Sequence, residues 1–78
     1  MMDVLQVLLF ASLRDRAGWG SRQMPLTGST TTAGDLWEQL QLGPLLAVKI
    51  AVNQELVGPG QVLCSGDEVA FLPPFTGG

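Results

Sequence analysis

Few side chains in this sequence could do chemistry, and most are quickly set aside. There is no histidine to act as acid or base near neutral pH, and one cysteine, Cys64. A zinc ligand set is therefore missing and no disulfide can close within the chain. The single thiol fits a reducing compartment. Cys64 ends the apolar run Val62-Leu63-Cys64, so it reads as a small core residue and not as a nucleophile. No glycine-rich loop is present to cradle phosphates. The remaining reactive group is the α-carboxylate of Gly78. Its ordinary pKa is near ~3.5, so it is ionised at neutral pH and a poor electrophile. It needs activation by an outside enzyme, because nothing in the chain can supply it.

The residues before Gly78 suit delivery of that carboxylate. The strand-like run Val69-Ala70-Phe71-Leu72 stops at Pro73-Pro74. Proline has a fixed φ and no N–H, so the pair cannot continue a central strand and favours a stiff, extended exit. Gly77 and Gly78 have no side chains, which keeps the tip thin. Such a tail could thread a narrow pocket, with the Gly78 carboxylate arriving first. Phe75 would be an apolar anchor and Thr76 a source of a hydrogen bond. Stiffness at Pro73-Pro74 lowers the entropy lost on threading. The plain alternative is a frayed terminus with no role.

Seventy-eight residues make one domain at most. Apolar residues are 46% of the chain and charged residues only 14%, against a usual quarter. Some apolar surface is therefore expected to be covered by a partner. The net charge is −3, and Arg14, Arg16, Arg22 and Lys49 form no basic stripe, which argues against nucleic acid. Val7-Leu8-Leu9-Phe10-Ala11 is too short to span a bilayer and follows Asp3, not a basic region. A cytoplasmic location, with no membrane attachment, is the expectation.

Several elements must position the tail. Val4 to Phe10 reads as a first strand, with Leu5, Val7 and Leu9 on the core face. Ser12, with Asp15 three residues on, offers a capping box for a short helix ending at Gly18. Trp19 would be a lid over the core edge. Arg22 to Leu26 is a weak strand that Pro25 places at an edge. Thr32 caps the main helix, Ala33 to Leu42, with Ala33, Leu36, Trp37 and Leu40 as one apolar stripe and Gly43-Pro44 as its stop. Val48 to Val52 is a strand, Asn53-Gln54 a turn and Glu55 to Val57 a short strand. Ser65-Gly66-Asp67 turns into the last strand, Glu68 to Leu72.

Strand, strand, helix, strand, short strand, strand is the pattern of an α+β β-grasp, or ubiquitin-like, domain. One amphipathic helix covers one face of the mixed sheet. Residues 1–72 would form the domain and residues 73–78 the extended tail. Strand parity puts Phe10 and Leu72 on the face the helix leaves bare, with Leu56 as a further member, a candidate partner surface at the base of the tail.

Gly66-Asp67-Glu68-Val69-Ala70-Phe71-Leu72-Pro73-Pro74-Phe75-Thr76-Gly77-Gly78 resembles the C-terminal signature of the small, sulfur-carrying subunits of molybdopterin synthases. Val7 to Asp15 is similar to that family's opening strand and helix, and Ala51 to Val57 to its central strand and turn. The segment Gly43 to Ala47 looks short for the family. The resemblance implies that a ubiquitin-activating-type adenylyltransferase uses ATP to form an acyl-adenylate on Gly78, and that a persulfide donor converts it to a thiocarboxylate. It implies that the tail then enters the large catalytic subunit and gives its sulfur to cyclic pyranopterin monophosphate. Two small and two large subunits would assemble. The chain itself would be a sulfur-donating subunit, with catalytic groups on the large subunit and no tightly bound cofactor or metal.

Three other readings stay open on the residues. A carrier for thiamin or another sulfur product shares the fold and the Gly-Gly end. A ubiquitin-like modifier would join Gly78 to lysines through the same adenylate. An inert β-grasp module would leave the tail idle. Fold alone permits all of them.

Overall fold

Alternating burial sets the sheet. The computed structural model describes residues 3–28 and 30–74. In β1 (Val4–Leu9) every second side chain faces the core: Leu5, Val7 and Leu9 are buried, while Val4, Gln6 and Leu8 are half-buried. The chain then forms α1 (Ala11–Ala17), β2 (Ser21–Pro25), α2 (Ala33–Leu40), β3 (Lys49–Val52), β4 (Glu55–Val57) and β5 (Glu68–Leu72). The strands lie in the order β2-β1-β5-β3-β4. The first and last strands pair in parallel, and the other three pairings are antiparallel. This is the β-grasp arrangement that the order of elements predicts. Pro25 ends the edge strand β2, where its missing N–H costs no central ladder bond.

α2 packs its buried residues Ala33, Leu36 and Trp37 with Leu5, Val7, Val69 and Phe71 of the sheet in one core. The Trp37 and Phe71 rings lie 5.1 Å apart at 51°, a tilted contact of the favourable kind. Trp19 is half-buried against this core, as a lid should be, and the Arg22 guanidinium sits 4.5 Å from its ring centroid.

The two helix starts differ, and one corrects the sequence reading. Thr32 caps α2 as expected: its hydroxyl accepts from the Asp35 N–H at 3.2 Å, and the Asp35 carboxylate accepts from the Thr32 N–H at 3.1 Å. Ser12, in contrast, caps nothing. β1 hands its ladder on through Phe10, whose N–H donates to the Phe71 carbonyl at 3.3 Å. The chain turns at Ala11 (φ 51°), so extended Phe10 holds the N-cap position and Ser12 is already inside α1. α1 does stop at Gly18, in the left-handed conformation with φ 84°.

α2 also ends two residues earlier than Leu42. Gln41 turns left-handed (φ 54°), and the next two carbonyls are taken by side chains, one from α1 and one from α2 itself. Arg16 donates to the Leu42 carbonyl at 2.6 Å and the Trp37 indole N–H to the Gly43 carbonyl at 2.8 Å. Leu42 itself is buried, which the turn makes possible. Cys64 is a second correction, because it is exposed and not in the core. Leu63 takes the single inward position, and Cys64 opens the turn that follows.

The α2 cap can be tested in two ways. Thr32→Ala is expected to cost about 1 kcal/mol, seen as a fall in Tm of roughly 4–8 °C for a domain of this size. The Thr31 hydroxyl foremost, with the Thr31 and Thr32 N–H groups, holds the Asp35 carboxyl below its ordinary value of 3.8. A lowered folded pKa stabilises above the unfolded value, and that share is lost as pH falls through the folded value. The Tm gap between the native chain and Asp35→Ala is therefore expected to be widest near neutral pH and to shrink below pH ~3.8.

Candidate functional site

The tail is launched from a strand held on both sides. A turn starts β5: the Asp67 N–H donates to the Cys64 carbonyl at 3.1 Å, and Asp67 Oδ2 accepts from the Cys64 N–H at 2.8 Å. Gly66 supplies the left-handed residue that this turn needs, with φ 88°. Asn53 ties the turn to the β3–β4 hairpin. Its amide donates to Asp67 Oδ1 at 2.9 Å, and its carbonyl oxygen accepts from the Glu68 N–H at 3.0 Å. Asn53 and Gln54 both have positive φ, 51° and 71°, which is type I′ hairpin geometry.

β5 then runs between β1 and β3, with Leu9 and Ile50 both opposite Phe71. Val69 and Phe71 are fully buried. Leu72 pairs with Lys49, and the next residue, Pro73, has no N–H to extend the ladder. Pro73 is half-buried and Pro74 exposed. Phe75, Thr76, Gly77 and Gly78 lie outside the described residues.

Two surfaces meet at this base. On the bare face of the sheet, register aligns Leu8, Ala70, Ala51 and Leu56 across four strands. Leu72 shares this face through β5's alternation, and extended Phe10 continues that of β1. Phe10 is 45% exposed and Leu56 70%. The buried helix residues all join the opposite face. Leu8 shares this face with Phe10 and Ala70 shares it with Leu72, as strand alternation predicts, and Ala51 of β3 completes the row. On the helix side, a groove of about 480 Å³ opens at Pro73-Pro74, with Leu13, Arg16, Leu46 and Val48 in its walls. Its polar side chains are the Ser12 hydroxyl, the Arg16 guanidinium and the Trp37 indole N–H.

These residues can hold and present the tail, but they offer no acid–base pair beside it. Among the described residues no cluster of three or more histidine, cysteine or acidic side chains could hold a metal ion. Among the same residues, no helix is long and apolar enough to cross a membrane.

Known proteins resemble the chain over almost its whole length. The family model for the ThiS family matches residues 7–78. The molybdopterin synthase sulfur carrier subunit of Escherichia coli K12 is 39% identical, with 96% of this chain and 100% of that protein covered. The protein of the same name from Mycobacterium tuberculosis is 36% identical over 99% and 100%. Among solved structures, SAMP1 from Haloferax volcanii superposes with a TM-score of 0.79 at 25% identity, covering 96% of this chain and 99% of that one. A putative molybdopterin converting factor subunit 1 from Pyrococcus furiosus gives 0.75 at 26% identity, covering 92% and 98%.

The alternation in β5 predicts opposite outcomes for adjacent residues. Phe71→Ala is expected to lower stability by about 3–5 kcal/mol through the cavity it leaves. Leu72→Ala, on the half-buried face, is expected to cost about 1 kcal/mol. Urea unfolding of the two variants measures both.

Proposed function

The chain belongs to the ThiS family, and we propose that it is the sulfur carrier subunit of a molybdopterin synthase. One observation carries this reading: the central strand β5 runs directly into Pro73-Pro74 and the Thr-Gly-Gly end, and the family match extends through residue 78. The names of the relatives support the pathway.

In this reading the Gly78 carboxylate attacks the α-phosphate of ATP inside a ubiquitin-activating-type adenylyltransferase, and pyrophosphate leaves. The acyl carbon is now an electrophile. The terminal sulfur of a persulfide displaces AMP, and a thiol cleaves the resulting S–S bond to leave a thiocarboxylate on Gly78. The acyl–sulfur bond keeps the sulfur attached during transit. Within the large catalytic subunit the thiocarboxylate sulfur bonds to a carbon of cyclic pyranopterin monophosphate, water then cleaves the acyl–sulfur bond, the sulfur stays on the pterin and the regenerated carboxylate can be charged again. Gly77 and Gly78 keep the tip narrow. Pro73-Pro74 stiffens the base, while Phe75 and Thr76 make contacts inside the channel. Phe10, Leu56 and Leu72 dock the domain to the large subunit. No cofactor stays bound to the chain, since ATP is consumed by the activating partner. Such a carrier works in the cytoplasm.

A second reading rests on the likeness to SAMP1, a small archaeal modifier protein: the same adenylate could join Gly78 to lysines of other proteins. Stable ladders of heavier conjugates would favour it.

Intact-mass measurement separates the readings. With the cognate activating enzyme, ATP and a sulfur donor, the chain is expected to gain the mass of one oxygen-to-sulfur exchange. An unchanged mass would refute sulfur carriage. Deleting Gly78 is expected to abolish transfer while leaving the melting curve unchanged. Phe10→Asp is expected to weaken binding to the large subunit by about tenfold or more, at a cost of under about 1 kcal/mol in stability.

A further inference from the structure

Tail length limits how far the domain can stand from the chemistry. Four residues follow Pro74 through Gly78, and at ~3.6 Å each they reach at most roughly 14 Å. An enzyme that takes Gly78 into its active site must bring the mouth of that site within this distance. Its rim therefore comes up against the domain at the base of the tail. The bare sheet face supplies one side of that contact. The helix side supplies the groove at Pro73-Pro74, walled by Leu46 and Val48.

Leu46 is held outward by a fastened loop. It is 73% exposed, more than Leu56 at 70%. Before it, Arg16 and Trp37 bond the Leu42 and Gly43 carbonyls at 2.6 and 2.8 Å, and Leu45 packs on the core. After it, Ala47 turns left-handed with φ 56° and Val48 again packs on the core. A loop anchored on both sides has no freedom to withdraw its leucine from water. With Leu13, Val48, Pro73 and Pro74, Leu46 makes a contiguous apolar wall at the base of the tail, the kind of patch that a partner covers.

We propose that Leu46 and the groove beside it form a second docking surface for the sulfur-accepting large subunit, which seats an apolar side chain from the rim of its channel there. This rests on the reading of Gly78 as the sulfur-bearing residue, and it adds a helix-side contact to the sheet-side one. Val62 provides a contrast. It is also exposed, at 61%, but lies beside Asp3 and Leu26 at the start of β1, the end of the sheet far from the tail.

The test is calorimetric titration of the full chain, Leu46→Asp and Val62→Asp against the large subunit, with a melting curve for each. Leu46→Asp is expected to weaken binding by about tenfold or more, with little change in Tm, while Val62→Asp stays within about twofold of the native chain. Leu46→Ala, which carries no charge, is expected to weaken binding in the same direction by a smaller factor. Native-like binding by Leu46→Asp, or an equal loss in Val62→Asp, would overturn the proposal. Failure of the unsubstituted chain to bind would overturn the carrier reading, and this proposal with it.

Discussion

The structure depends on the parallel pairing of its first and last strands. β1 and β5 meet in register from Gln6 opposite Glu68 to Leu9 opposite Phe71. Between them the chain adds β2, β3 and β4 to the sheet and packs its helices into the core on one face. α2 does this by setting Trp37 against Phe71. Because the strands that meet are sequence-distant, loop closure must precede most of the apolar gain. The pairing also decides where the chain leaves the domain. Phe71 is buried among partners on both sides, and two residues later the backbone has lost its N–H and emerges at the surface.

This arrangement separates holding from delivering. The domain places its apolar residues in a core that grips β5, and in the proposed reading the chemistry belongs to the terminal group and its partners. The low charge of the chain then has a place in the structure. Two apolar surfaces, one on each side of the sheet, converge where the tail begins. Neither contains a set of groups able to activate an acyl carbon, so the contribution of the domain is orientation and contact.

Much of the fold could be read from side-chain periods. Leu5, Val7 and Leu9 alternate cleanly, and Ala33, Leu36 and Trp37 follow the helical spacing, because in both cases one face is buried and the other wet. Caps were harder. Thr32 and Ser12 stand in similar local patterns, yet Ser12 loses its role because the β1 ladder runs one residue past the strand, to Phe10. The helix end misled for a related reason: Arg16 of α1 captures the Leu42 carbonyl from 26 residues away, which no local pattern contains, and the Trp37 side chain of α2 itself holds Gly43. Cys64 looked internal because its neighbours are apolar, but a turn reverses the chain there. The base of the tail was legible through Phe10 and Leu72. Leu46 was not, since its exposure is set by tertiary anchors on either side of it.

The placement of β5 has a mechanical consequence. A strand at a sheet edge peels away one hydrogen bond at a time when its end is pulled. β5 is bonded to β1 on one side and β3 on the other, and Pro73-Pro74 follow it directly. Tension on the tail would load both ladders in shear, with several bonds sharing the force at once. The tail is thus tethered by an interior strand, which cannot unzip from one side.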